Sequence, residues 1–133
     1  MKKAVIVVGR HHAGKGKTIR LYLKPKLGID TNVHKFTRSG QSGYVLAQSF
    51  EEADKDILII VNYSHYELLI PAARPAHETP SCLVGLKAKL EEEGYRVSTV
   101  DVVRTSNEAY YEQKAEEILS RLDDIGAKTA SAS

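Results

Sequence analysis

The sequence predicts an α/β domain: a three-layer sandwich on a mostly parallel central sheet. Three observations carry that prediction. Strand-like apolar runs alternate along the chain with stretches of helical periodicity. The first run, Lys3 to Val8, is unbroken and rich in β-branched residues, which marks a central strand buried on both faces. No internal repeat or long linker interrupts the alternation, so the 133 residues read as one domain over 1–126, with enough chain for a real core.

The elements follow in order. After the first strand, a helix is expected to start within residues 14–16 and run through Ile19, Tyr22 and Leu23. It should stop near Lys24, because Pro25 disfavours helix before it. "VHKFTRSGQSGYVLAQS" reads as two short strands around the turn "SGQSG", and the pattern leaves open whether they pair. In "SFEEADKDILIIVNYSHY", Ser49 and Glu52 form a capping box, and Glu51, Glu52 and Asp54 sit where a helix dipole favours acids. Ile57 to Val61 is nonetheless strand-like in composition. A helix over 50–64 is expected, since a parallel strand must be reached by a crossover.

"ELLIPAARPA" reads as a second central strand with an irregularity at Pro71, which removes one ladder donor. Thr79-Pro80 supplies an N-cap and a first-turn proline. Leu83, Leu86 and Leu90 mark an apolar stripe, and Gly94 lies where a C-cap glycine belongs. "YRVSTVDVV" is a further strand. Thr105 with Glu108 can cap a last helix along Tyr111, Ala115, Ile118, Leu122 and Ile125. After Gly126, "AKTASAS" has nothing to bury and reads as a disordered tail over 127–133.

The longest apolar runs are too short to span a bilayer. The charged start runs straight into a Gly/Lys turn with no small-residue cleavage site, so no secretory leader is expected. A single cysteine, Cys82, excludes an intrachain disulfide and a cysteine-cluster metal site, and reads as a packing residue. This fits a reducing, cytoplasmic setting with no membrane partner. The net charge of +2 hides an uneven distribution. Met1 to Gln48 carries ten Lys/Arg against one acid, and the remainder nine against sixteen. An anionic ligand favours the basic half; pairing between basic and acidic faces is the plainer account.

Between the first strand and first helix lies "GRHHAGKGKT". Glycines let backbone N–H groups turn inward, and a helix N-terminus behind them offers unpaired donors and a positive dipole end. At the carboxyl end of a parallel strand, this is where an α/β sheet takes a ligand. The stretch resembles the Walker A loop of the P-loop NTPases. That resemblance covers the first 25 residues and implies that Gly9, His12, Ala13, Gly14, Lys15, Gly16, Lys17 and Thr18 hold ATP or GTP.

Two registers fit. In the first, Gly9 opens G-x-x-x-x-G-K, Gly14 closes it and Lys15 is the phosphate lysine; Gly16 then stands where the family has the Mg²⁺-holding hydroxyl. In the second, "HHAGKGKT" makes Lys17 the phosphate lysine and Thr18 the metal hydroxyl, with His11 in place of a glycine. Backbone geometry favours the first, because a misplaced opening glycine costs the loop its shape. His11 and His12 lack a third metal ligand in spacing and are expected to line the loop.

The family also implies an acid for Mg²⁺ at the end of an apolar strand. Glu51 is the candidate, although its spacing is fully explained by helix capping. Arg74, near the end of the second central strand, can offset transition-state charge in phosphoryl transfer or pair with Glu78. Asp101 and Arg104 can contact a base, whereas Lys35 and Arg38 read as solvated surface. The leading expectation is nucleoside triphosphate binding with slow hydrolysis or phosphoryl transfer. Two alternatives stay open: a non-catalytic nucleotide or phosphate module serving a protein partner, and nucleic-acid binding by the basic half.

Overall fold

A computed structural model describes residues 2–10, 14–46, 57–77 and 81–123. The first strand, β1 (Lys2–Val8), is its centre, and Ala4 to Val8 are all buried. The strand near the end of the chain, β6 (Tyr95–Asp101), runs parallel to β1 through all seven of its positions, from Lys2 opposite Tyr95 to Val8 opposite Asp101. The other side of β1 takes β4 (Leu68–Ile70) and β5 (Ala72–Ala73), also parallel, with Lys3 opposite Leu68 and Val7 opposite Ala72.

The register is unchanged across Pro71, so β4 and β5 are one strand interrupted at a single residue. Pro71 cannot donate, but its carbonyl still accepts from Val7 N–H at 2.9 Å. The expected irregularity therefore costs the ladder one donor and no alignment.

Beyond β4 lies β3 (Gln41–Val45), parallel to it, and then β2 (Lys35–Arg38), antiparallel to β3. The two do pair as a hairpin. Ser39 and Gly40 form its two-residue turn, with φ of 53° and 78°. Positive φ at both central positions matches the right-handed strand twist. The sheet is thus mixed and mostly parallel, in an α/β fold.

The alternation of side chains along β1 divides the core. Val5 and Val7 join Ile19, Leu23, Tyr111, Ala115, Ile118 and Leu122 on one face. Ala4, Ile6 and Val8 join Ile60, Leu86 and Leu90 on the other. Helical elements therefore pack on both faces. On the first face lie α1, a continuous helical stretch over residues 15–26, and α3 (Glu108–Asp123). On the second lie a 3-10 helix (Ile57–Tyr63) and α2 (Leu83–Glu92). Cys82 is half-buried at the start of α2 and packs against the second cluster.

Three expectations change in detail. The first helix does not stop at Lys24. Thr18–Leu23 is a π-helix, and Lys24 N–H bonds back to Ile19 O. The wider turn resets the ladder, so Pro25 falls in the first turn of a new segment, Lys24–Lys26, where a missing N–H costs nothing. The stretch Ile57–Tyr63 is helical but 3-10, not α. Its β-branched run, Ile57, Ile59, Ile60 and Val61, has poor α-helical preference. The last helix is capped by Asn107, whose Oδ1 accepts from Ala109 N–H at 3.0 Å, while Thr105 Oγ1 accepts from Asn107 N–H at 3.2 Å. An Asx side chain next to the helix reaches the donors that Thr105 cannot.

Gly94 takes the left-handed conformation expected of a C-cap, with φ of 94°. The Ser49–Glu52 capping box, Thr79-Pro80, Ile125 and the 127–133 tail lie outside the described residues. Among the described residues, no helix is long and apolar enough to cross a membrane.

Candidate phosphate-binding loop

The loop leaves the sheet at the carboxyl end of β1, between the ends of two parallel neighbours. Gly9 N–H donates to Ala73 O at 3.1 Å, and Val102 N–H to Val8 O at 2.7 Å. The chain re-enters at Gly14, whose φ of 100° only glycine adopts freely. A second constraint falls on the same residue: a Cβ on Gly14 would lie 2.6 Å from the Tyr111 ring. Tyr111 is buried on α3 and locked there, since its hydroxyl donates to Thr105 O at 3.0 Å and accepts from Thr105 N–H at 2.9 Å. The aromatic ring is a floor under the loop's return.

From Gly14 the helix begins. Its first backbone bond runs from Thr18 N–H to Gly14 O at 2.8 Å. The N–H groups of Gly16 and Lys17 precede that bond, in the first turn, where the intrahelical ladder has not yet begun. The Thr18 hydroxyl is fully buried and donates to Gly14 O at 2.9 Å.

The two lysines of the alternative registers occupy different environments. Lys15 is 3% exposed, and its Nζ reaches back across the loop to Gly9 O at 2.6 Å and Arg10 O at 2.9 Å. Lys17 points outward, with Nζ 2.6 Å from Glu108 Oε2 and 5.1 Å from the Tyr111 ring centre. Tyr22 also donates to Glu108. The Lys17 ammonium, and after it the Tyr22 hydroxyl, hold the Glu108 carboxyl below the ordinary glutamate range.

Arg20 is a residue the sequence reading passed over. It lies one turn beyond Gly16, and its guanidinium folds back onto that glycine. A Cβ there would meet Nη1 at 2.6 Å and Cζ at 3.3 Å. Arg20 also walls an open cavity of about 540 Å³ with Asp30, Thr31 and Asn32. The four-residue spacing was the available signal, since it stacks two residues on one helix face.

Mg²⁺, which the Walker A resemblance implies, fits the first register poorly. Position 16 has no side chain, and the space where one would project holds the Arg20 guanidinium. Among the described residues, no group of three or more His, Cys, Asp or Glu is arranged to hold a metal. His11, His12, Ala13, Glu51 and Glu78 lie outside those residues.

Arg74 directly follows β5, half-buried, level with the loop's opening glycine; its carbonyl accepts from the Ser81 hydroxyl at 2.9 Å. Asp101, which ends β6, and Arg104 beyond it are exposed. Arg38 is not merely solvated surface. It grips Asp123 with two bonds of 2.8 Å at the opposite end of the sheet. No family model, no curated protein and no solved structure matches the chain.

Proposed function

We propose that the chain binds a nucleoside triphosphate, ATP or GTP, through Gly9 to Thr18, in the register that makes Lys15 the phosphate lysine. In that reading the domain is a minimal P-loop-like three-layer sandwich. One observation carries it: Lys15 is buried, with its ammonium reaching the carbonyls of Gly9 and Arg10 at the end of β1. Burying an ammonium is costly unless hydrogen bonds satisfy it. Here those bonds hold a positive charge between the carboxyl end of β1 and the start of α1, where polyphosphate oxygens are well accommodated. Lys17 is occupied by Glu108 and lies on the outer side.

Bound this way, the phosphates meet the N–H groups of the first helical turn and Lys15. Catalysis, if it follows, is positioning and electrostatic stabilisation of the transferred phosphoryl, with Arg74 near enough in the fold to contribute charge. Calorimetric titration of ATP and GTP into the wild type and Lys15→Met tests the reading. Binding that is lost with Lys15 supports it; no binding by the wild type, or equal binding by both, refutes it.

A second reading has its own support. The absent hydroxyl at Gly16 suits a module that holds nucleotide for a protein partner without turning it over. Nucleotide binding with no phosphate release identifies that case. The nucleic-acid alternative loses ground because Lys17, Lys26 and Arg38 all pair with acids of α3.

A further inference from the structure

We propose that Arg20 takes the place of the divalent metal in this loop, so that the nucleotide's phosphates are bound through its guanidinium and without Mg²⁺. This deepens the nucleotide reading above and rests on it.

The argument begins at position 16. In the Lys15 register this residue follows the phosphate lysine, where the resemblance calls for a hydroxyl that holds Mg²⁺ beside the phosphates. The residue is glycine, and its side-chain space is filled. Nη1, Cζ and Nη2 of Arg20 would stand 2.6, 3.3 and 3.4 Å from a Cβ at that position. The guanidinium thus occupies the space in which a side chain at position 16 would begin, Nη1 nearest. A positive charge occupies the place from which a metal would have been held.

The charge is also available. Five basic residues lie along α1, and four are otherwise engaged. Lys15 spans the loop, and Lys17 pairs with Glu108. Lys24 is buried with its ammonium donating to Thr31 O at 2.8 Å. Lys26 faces Glu112 and Glu116. Arg20 is exposed, and among the described residues it pairs with no carboxylate. A guanidinium offers five donors in a planar fork and stays charged at every working pH, which suits two phosphate oxygens at once. Gly16 and Arg20 therefore form a matched pair: the glycine makes room for the cation that replaces its missing ligand.

The test is calorimetric titration of ATP and GTP into the full chain, once in EDTA and once in Mg²⁺. It uses the wild type, Arg20→Gln, Gly16→Ser and Lys26→Gln, with circular dichroism to check folding. The wild type should bind about equally in the two buffers. Arg20→Gln should lose about tenfold in EDTA, equivalent to about 1.4 kcal/mol. Gly16→Ser, which pushes the guanidinium aside without removing it, should also weaken metal-free binding. Lys26→Gln removes the same charge farther along the helix and should leave affinity unchanged.

Three results overturn the inference alone: wild-type binding that requires Mg²⁺, undiminished binding by Arg20→Gln in EDTA, or equal losses for Arg20→Gln and Lys26→Gln, which indicate a general field. No binding by the wild type in either buffer overturns the nucleotide reading itself, and this inference with it.

Discussion

The two ends of β1 each bury a lysine, and they use it differently. At the amino end, Lys3 is 5% exposed and donates to Leu122 O at 2.6 Å. At the carboxyl end, Lys15 is as deeply buried and donates to Gly9 O and Arg10 O. Lys3 meets the last turn of α3, where unpaired carbonyls and the negative dipole end welcome a cation. The Arg38–Asp123 pair stands beside it, and the Arg38 guanidinium holds the Asp123 carboxyl below the ordinary aspartate range. That end is closed by its own charges. Lys15 instead sits against the donor-rich start of α1, where a cation gains nothing from the dipole. The amino end is thus held by the helix and ion pair around it, and the carboxyl end by the two carbonyls that Lys15 reaches.

Exchanging each lysine for methionine breaks the comparison most directly. Lys15→Met should weaken ATP or GTP binding by about tenfold to a hundredfold, the range for losing a charge-assisted bond. Lys3→Met should leave that affinity intact and lower stability by about 1–3 kcal/mol, because Leu122 O loses its buried donor. Calorimetry and urea denaturation read the two effects separately; the same loss of affinity from both variants erases the distinction.

Gly14→Ala sharpens the carboxyl end. The left-handed backbone alone costs about 1–2 kcal/mol, and the added methyl meets the Tyr111 ring. Chemical denaturation should show that loss, with ligand affinity falling alongside it. Wild-type stability in this variant means the loop has another shape.

Smaller effects come from the surface. Lys17→Ala removes an exposed pair and should change stability by less than about 1 kcal/mol, with little effect on nucleotide affinity. A loss matching that of Lys15→Met favours the other register instead. For Asp123, a carboxyl lowered in the folded state stabilises fully above its unfolded value and loses that contribution as pH falls through the folded one. Asp123→Asn should flatten the acid limb of a stability–pH curve. Tyr95 gives the alkaline counterpart. Burial pushes its phenol up to about 12, and its hydroxyl donates to Tyr66 O at 2.6 Å. The unfolded state ionises first, so stability should fall as pH rises from the ordinary tyrosine value toward about 12. Tyr95→Phe should remove that slope.

Much of the fold was legible because its signals are local. Lys3 to Val8 could only be a central strand, Gly94 a helix stop and Pro71 a break in a ladder. Ser39-Gly40 sat inside a stretch already read as a turn. The π turn before Pro25 was hidden, since it depends on which carbonyl an N–H chooses. So was the 3-10 form of Ile57–Tyr63, where strand-like composition met the packing of Ile60 against Leu86 and Leu90. At the site, the glycines and lysines were visible as a pattern and favoured Lys15, but the different surroundings of Lys15 and Lys17 were not visible. Their separation depends on Glu108 and Tyr111, which only tertiary structure brings to the loop. The same holds for charge: the basic first half is partly spent on the acids of α3.

One further consequence lies in the order of synthesis. β1 leaves the ribosome before every strand it pairs with, and its longest partner, β6, is complete only when residue 101 has emerged. Among the described residues, the hairpin β2–β3 is the one strand pairing closed by a tight turn. Non-local parallel pairing of this kind makes folding slow, because loop closure precedes any reward. The nascent Gly9–Thr18 segment therefore lacks β6 beside it, and the Tyr111 ring that meets Gly14, until residue 111 has emerged. A truncated chain should be nucleotide-blind, and binding competence should arrive in one late step.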